Sequence, residues 1–283
     1  MDLIRQTKEL CSKHNIYPSR SRGQNFLITE NVYDKIIKAA DLNKNDTVLE
    51  IGPGLGFLTE KLAEKAEKVI AVELDDKIVD ILKKRIKEKK IKNIEIINGD
   101  VLKIIKFDNW KLFENCKLKI KNYKVVANLP YNITSVFLRK MLSLENKPKS
   151  MTLMLQKEVA ERICARPPRM SLLAVSVQLY TQVEIMDYVG KENFWPEPKV
   201  DSAIIKLKVK SEKLKVNEKE FFRLVKIGFS AKRKMLKNNL SVGFKIPGSE
   251  VEKRLLKADF NKKIRPGELS VNQWIKLLEN FNN

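Results

Sequence analysis

Apolar positions recur along the chain with two periods, and the changes between them place the elements. Residues 2 to about 14 carry Leu3, Thr7, Leu10 and Cys11 at helical spacing and break at Asn15 and Pro18, which predicts an N-terminal helix. Thr29 is placed to cap a second helix with Val32, Ile36, Ile37 and Ala40 on its inner face. The period then changes. Thr47-Val48-Leu49-Glu50-Ile51 reads as a short buried strand, followed by a helix from about Phe57 to Ala66. Val69 to Val72 reads as a strand ending in Glu73, with a helix from about Asp76, and Ile94 to Ile97 as a strand ending at Asn98-Gly99-Asp100. Tyr123, Val125, Val126 and Ala127 form a fourth strand that runs into Asn128-Leu129-Pro130-Tyr131, with a helix beginning near Thr134. Further strands are expected at Met151 to Leu155, Val183 to Val189 and Ala203 to Val209, with helices at Lys157 to Ala165 and Leu172 to Tyr180. Strands alternating with helices predict an α/β fold. Beyond a charged linker at 210–219 only the helical period remains, with Phe221, Leu224, Val225 and Phe229 on one face, then Met235, Leu236 and Leu240, and helices at about 249–258 and 271–281. Two domains are therefore expected: 1–210, α/β with an N-terminal helical cover, and 211–283, smaller and helical.

Charge changes the picture. The chain of 283 residues carries 56 Lys and Arg against 35 Asp and Glu, a net +21, which implies a polyanionic partner with nucleic acid as the first candidate. A Lys-rich composition spread evenly over the surface is the alternative, and the run from Lys77 to Lys90 reads as a solvated helix face. The helical C-terminal domain is a candidate RNA-docking unit. Cys11, Cys116 and Cys164 lie far apart with no C-x-x-C spacing, so no disulfide framework or zinc site is expected, and a reduced cytoplasmic setting follows. No run approaches the ~18 apolar residues of a membrane span, so a soluble protein is expected. His14 is the only histidine and is expected at the surface.

The candidate chemistry sits at the strand ends, where open α/β sheets bind ligands. Gly52-Pro53-Gly54-Leu55-Gly56 follows the first strand, and glycines at such a junction let the backbone approach a ligand closely. A dinucleotide fingerprint fits poorly, since its third glycine position falls on Phe57 or Thr59. Glu50 just before the glycines also suits a pyrophosphate badly. It suits S-adenosylmethionine, whose amino-acid part is cationic. Glu73 is placed to accept both hydroxyls of a ribose, and Asp100 can accept an adenine amino group or serve only as a turn residue. Asn128 offers a side-chain carbonyl and Pro130 a main-chain carbonyl, acceptors for the exocyclic amine of an adenine, with the flat face of Tyr131 beside them. The same tetrapeptide occurs as ordinary loop punctuation. Phe194-Trp195-Pro196-Glu197-Pro198 reads as an exposed aromatic loop that could stack a base, or as a plug on a core edge. The hinge Arg20-Ser21-Arg22-Gly23 suits a phosphate contact or a solvated loop equally.

Six stretches together resemble the rRNA adenine N6-dimethyltransferases, most closely the bacterial small-subunit (16S) type: Gln24 to Leu27, Glu50 to Gly56, Asn128 to Tyr131, Gln156 to Arg162, the Phe194 to Ser202 loop, and Phe229-Ser230 through Leu240. The resemblance covers nearly the whole chain and implies a Rossmann-like S-adenosylmethionine-dependent methyltransferase domain followed by a smaller α-helical domain. It implies that Asn25, Leu27, Gly52, Glu73, Asp100 and Asn128 bind S-adenosyl-L-methionine, with Gln24, Glu50, Gly54 and Gly56 of the same motifs in the cofactor site. Asn128, Pro130, Tyr131 and Phe194 would hold the target adenine. The implied reaction is direct methyl transfer to the N6 amine of two adjacent adenosines of 16S rRNA within the small ribosomal subunit, by a monomeric cytoplasmic enzyme. One departure is visible: Pro168-Arg169-Met170-Ser171 replaces a slightly longer family loop, which puts any substrate contact of that loop in question. A 23S rRNA methyltransferase conferring antibiotic resistance, a non-catalytic small-subunit assembly factor and a DNA adenine methyltransferase remain as rivals.

Overall fold

A computed structural model describes residues 2–18, 24–105, 122–211 and 216–281; the expected hinge Arg20 to Gly23, Cys116 and residues 212–215 of the linker lie outside the described residues. The strands are β1 (Phe26–Leu27), β2 (Thr47–Ile51), β3 (Lys68–Glu73), β4 (Ile94–Asn98), β5 (Tyr123–Asn128), β6 (Ser150–Gln156), β7 (Thr181–Val189), β8 (Phe194–Trp195) and β9 (Ser202–Val209). Seven of them form one sheet in the order β4-β3-β2-β5-β6-β9-β7, and β1 pairs with β8 in a separate antiparallel ribbon. β4 through β6 run parallel along that order, and β9 pairs antiparallel with β6. Central parallel strands are covered on both faces and must be apolar nearly throughout. Val48, Leu49, Val69, Ile70, Val125 and Val126 accordingly have no exposure, and each such side chain contributes about 1.5–3 kcal/mol by leaving water. From β2 the chain moves to β3 on one side and later to β5 on the other, which opens a crevice at the carboxyl ends of β2 and β5.

The helices Phe57–Lys65, Asp76–Glu88 and Thr134–Ser143 follow β2, β3 and β5 in the chain. Helix Glu30–Ala40 buries Val32, Tyr33, Ile36, Ala39 and Ala40, while Ile37, expected on the inner face, is only half-buried. Thr29 holds the N-cap position of this helix but makes no side-chain cap bond. Asp75 does cap its helix, accepting from the Lys77 amide at 3.1 Å. Gly56, expected in the cofactor site, has a packing task. Its φ is +88°, and a Cβ there would meet Leu82 Cδ1 at 2.4 Å.

The chain divides into two compact units, one of residues 1–160 and 183–209, the other of 161–182 and 210–283. Residues 161–182 were expected in the first domain and belong to the second unit. Helix Leu172–Tyr180 has no polar face to mark it as a surface helix, and Ala174, Val175, Val177 and Leu179 are all buried. It lies against helix Glu218–Gly228, where the Tyr180 hydroxyl donates to Glu218 Oε2 at 2.6 Å and its ring stacks on Phe222. The same unit contains helices Leu236–Phe244, Gly248–Lys257 and Val271–Glu279, with Phe221, Leu224, Leu240, Leu255 and Trp274 in its core. The shortened loop packs within this unit: Met170 is buried and its amide donates to the Gly267 carbonyl at 3.0 Å. Among the described residues no helix is long and apolar enough to cross a membrane.

Gly56→Ala should destabilise the fold by about 1–3 kcal/mol through strain at positive φ and overpacking on Leu82. Thermal or denaturant unfolding measures this, and an unchanged midpoint would contradict the packing role.

Candidate cofactor and base site

A cavity of about 290 Å³ lies over the carboxyl ends of β2 to β5. Each strand end contributes a segment to its wall: Glu50 to Leu55, Val72 to Asp75, Gly99 to Val101, and Asn128 to Ile133. Gln24, Asn25, Phe26 and Leu27 close another side. The sequence-predicted residues Gln24, Asn25, Leu27, Glu50, Gly52, Gly54, Glu73, Asp100, Asn128, Pro130 and Tyr131 therefore meet around one space. Gly56 and Phe194 do not line it.

Two carboxyl groups form the floor, and their surroundings differ. Glu73 is held in place by three main-chain amides: Leu74 and Asp75 donate to Oε1 at 2.8 and 3.0 Å, and Gly54 donates to Oε2 at 3.2 Å. Burial raises its pKa, and the amides of Asp75, Gly54 and Leu74 work against that rise. Glu50 is 1% exposed, and neither of its oxygens has a hydrogen-bond partner. Burial pushes this carboxyl up to about 8; the nearby Thr59 hydroxyl, too poorly aligned to count as a hydrogen-bond partner, works against the rise, and the negative charge of Glu73 adds to it. Thr59 Oγ1 is also buried without a partner. An unsatisfied acceptor of this kind is costly unless a ligand supplies donors or positive charge. The backbone leaves room for such a ligand. A side chain at Gly54, where φ is +54°, would touch Phe26 Cε1 at 3.4 Å, and one at Gly52 would point at Pro130 Cδ, 3.7 Å away. A buried acidic floor under a glycine turn fits a cofactor with a cationic amino-acid part.

The other end of the cavity is built by β5. Asn128 faces Met154 of β6, and the Leu129 amide extends the pairing by donating to the Met154 carbonyl at 3.2 Å. A short 3-10 turn at Tyr131–Ile133 follows, in which the Pro130 carbonyl accepts from the Ile133 amide at 3.2 Å. That carbonyl was expected to face a substrate; a carbonyl has two lone pairs, so one remains for a ligand. The Tyr131 hydroxyl shares a 2.6 Å hydrogen bond with Ser202 Oγ, and Ser202 is fully buried in β9. The ring is thus fixed at its far end while its body lines the cavity.

Phe194 departs from expectation. It is 3% exposed, lies opposite Leu27 in the β1-β8 ribbon and belongs to the core, with Trp195 packed against that core. The expected exposure is corrected: Phe194 is buried and anchors the segment that carries Asn25 and Leu27. The structure also adds residues that the spacing did not single out. Tyr33 lines the cavity and donates its hydroxyl to the Leu27 carbonyl at 2.7 Å. Asp75 Oδ2 accepts from Gln24 Nε2 at 3.3 Å. Leu74 sits on the cavity wall with 58% of its surface exposed. Tyr33 was legible only as an inner-face aromatic of its helix, and the partner segment for its hydroxyl had no sequence signal.

This sheet order, with a ligand cavity at the carboxyl ends of the central parallel strands, defines a Rossmann-like domain of the S-adenosylmethionine-dependent methyltransferase type. The family described as "Ribosomal RNA adenine dimethylase" matches residues 18–283. The chain is 40% identical over 277 residues to "Ribosomal RNA small subunit methyltransferase A" of Dehalococcoides mccartyi, covering 97% of this chain and 92% of that protein. It is 38% identical over 282 residues to the protein of the same name from Alkaliphilus oremlandii, covering 98% and 96%. Among solved structures, a dimethyladenosine transferase from Plasmodium falciparum superposes with a TM-score of 0.77 at 32% identity, covering 91% of this chain and 97% of that one. The 23S rRNA methyltransferase ErmE superposes with a TM-score of 0.73 at 27% identity, covering 92% and 100%. The chain belongs to the ribosomal RNA adenine dimethylase family.

The raised Glu50 carboxyl makes stability depend on pH in a stated direction. The folded chain keeps a proton there that the unfolded chain releases above the ordinary value of 4.5, so this contribution is complete below about 4.5 and is lost as pH rises through about 8. Glu50→Gln should flatten the fall in melting temperature between mildly acidic and mildly alkaline pH. Equal slopes in the two proteins would assign the titration to another group.

Proposed function

We propose that the chain transfers methyl groups from S-adenosylmethionine to the N6 amines of two adjacent adenosines near the 3′ end of small-subunit rRNA, giving N6,N6-dimethyladenosine. Its substrate is 16S rRNA within the small ribosomal subunit, and it acts as a cytoplasmic monomer in subunit biogenesis. The observation that carries this reading is the meeting, in one cavity, of the unpartnered Glu50 carboxyl with Asn128, Pro130 and Tyr131. The names of the relatives at about 40% identity support the small-subunit choice over the large-subunit one.

When bound, S-adenosylmethionine supplies a methyl group activated on a sulfonium. Glu50 and Glu73 form an acidic floor for the cationic and hydroxyl-bearing parts of that cofactor, and Asp100 accepts from its adenine. Asn128 and Pro130 accept the two N–H groups of the target amine. As that nitrogen bonds to the methyl carbon and the carbon–sulfur bond breaks, it becomes pyramidal and gains positive charge, so acceptors placed there bind the transition state more tightly than the flat ground state, and loss of one N–H proton to solvent returns the amine to neutrality. Among the described residues, no hydrogen bond occupies the Asn128 side chain, which leaves its carbonyl for this task. Tyr131 offers a ring fixed by Ser202 for stacking the base. Phe194 has no base contact in this scheme. The helical unit is the RNA-docking part, with Lys232, Arg233 and Lys234 exposed on one turn.

The direct test is transfer of labelled methyl groups to unmethylated small subunits, naked 16S rRNA and naked 23S rRNA, followed by nucleoside analysis. Dimethyladenosine in the small-subunit substrate is expected. Label confined to 23S rRNA would move the chain to the resistance branch of the family, and no label would leave a non-catalytic assembly role. Asn128→Ala should lower the single-turnover rate by roughly two to three orders of magnitude; an unchanged rate would remove Asn128 from the chemistry. Tyr131→Ala should cost about 1–3 kcal/mol of base stacking, read as weaker substrate binding.

A further inference from the structure

The Asp100 turn is short: the Asp100 carbonyl accepts from the Lys103 and Ile104 amides, each at 2.9 Å, and the Val101 carbonyl from the Ile105 amide at 3.0 Å, and no further turn follows. Asp100 Oδ1 accepts from the Leu102 amide at 2.8 Å and starts a helix of four residues, Val101–Ile104, too short to persist without outside contacts. Its last carbonyls have no partner within the helix. Lys140, half-buried on helix Thr134–Ser143, supplies them: its Nζ donates to the Leu102 carbonyl at 2.5 Å and to the Ile105 carbonyl at 3.2 Å. A cation at a helix carboxyl end is favourable for the same reason. The helix that carries Lys140 begins directly after the Asn128 to Ile133 segment. Lys140 therefore joins the wall holding Asp100 and Val101 to the element that continues from the base site.

We infer that Lys140 is a positioning residue for cofactor recognition: by clamping the Leu102 and Ile105 carbonyls it holds Asp100 where its second carboxylate oxygen, Oδ2, reads the 6-amino group of the cofactor's adenine. This rests on the methyl-transfer reading of the cavity. Loss of the clamp would not remove any group that touches the cofactor. It would blur the placement of one acceptor, so the cost falls on discrimination at the purine 6-position rather than on binding in general.

The test compares binding of S-adenosylhomocysteine with that of S-inosylhomocysteine, which carries a carbonyl in place of the 6-amino group. The full chain should prefer the adenine compound. Lys140→Met, similar in length and without donors, should weaken the adenine compound about five- to tenfold, the scale of one lost hydrogen bond, and leave the inosine compound within about twofold. Lys140→Arg, which keeps donors for both carbonyls, should retain the preference. Asp100→Asn should lose it as Lys140→Met does. Equal weakening of both compounds in Lys140→Met, together with a lower melting temperature, would reduce Lys140 to a structural tie and overturn the inference. An unchanged preference in Lys140→Met or in Asp100→Asn would also overturn it, while methyl transfer to rRNA by the unaltered chain would still stand. Failure of the unaltered chain to bind either compound would overturn the inference together with the reading on which it rests.

Discussion

A carboxyl group at 1% exposure with no partner is the constraint around which the rest of the site is arranged. Glu50 occupies a position near the carboxyl end of β2, paired with Ala71 of β3 and Val126 of β5, so its backbone is fixed within the central strands and its side chain is held under the cavity. The fold tolerates it by keeping it protonated, and its pKa near 8 expresses that compromise. A cationic ligand above it would change the balance: ionised Glu50 would gain a counter-charge, and binding would recover part of what folding gave up.

The remainder of the cavity follows from strand ends brought to one edge. Glu73 is held in a fixed orientation by three main-chain amides and keeps acceptor capacity on its oxygens, which suits a group that reads hydroxyls. The β1-β8 ribbon and the Tyr33 hydroxyl fix Leu27 against the opposite wall. On the substrate side, Ser202 pins Tyr131 from a strand that runs antiparallel to its neighbour. Most of the polar groups that would meet a ligand are therefore oriented before it arrives, which is the condition for catalysis by alignment and electrostatics.

Much of this was legible in the sequence because two periods and four strand ends carry it. The runs at 47–51, 69–72 and 123–127 are mostly apolar because their strands lie in the middle of the sheet, the run at 94–97 keeps three isoleucines on an edge strand, and the strand ends supply residues that line the cavity. What escaped depends on contacts between distant segments. Phe194 looked exposed because prolines and charges follow it, yet its neighbour across the ribbon is Leu27, 167 positions earlier. Gly56 read as part of a ligand turn, although the side chain that forbids a Cβ there is Leu82 on the next helix. The assignment of 161–182 to the second unit has no local signal, since helix Leu172–Tyr180 is as apolar as a buried helix of either domain. Lys140 is one lysine among many until its two carbonyl partners are seen.

The most direct test is whether Glu50, neutral in the free protein, becomes charged when the cationic cofactor binds. Calorimetric titration with S-adenosylmethionine at neutral pH, repeated in buffers of different ionisation enthalpy, counts the protons released on binding. Release of a substantial fraction of one proton by the unaltered chain and none by Glu50→Gln is expected. Binding without proton release, or the same release from Glu50→Gln, would contradict it.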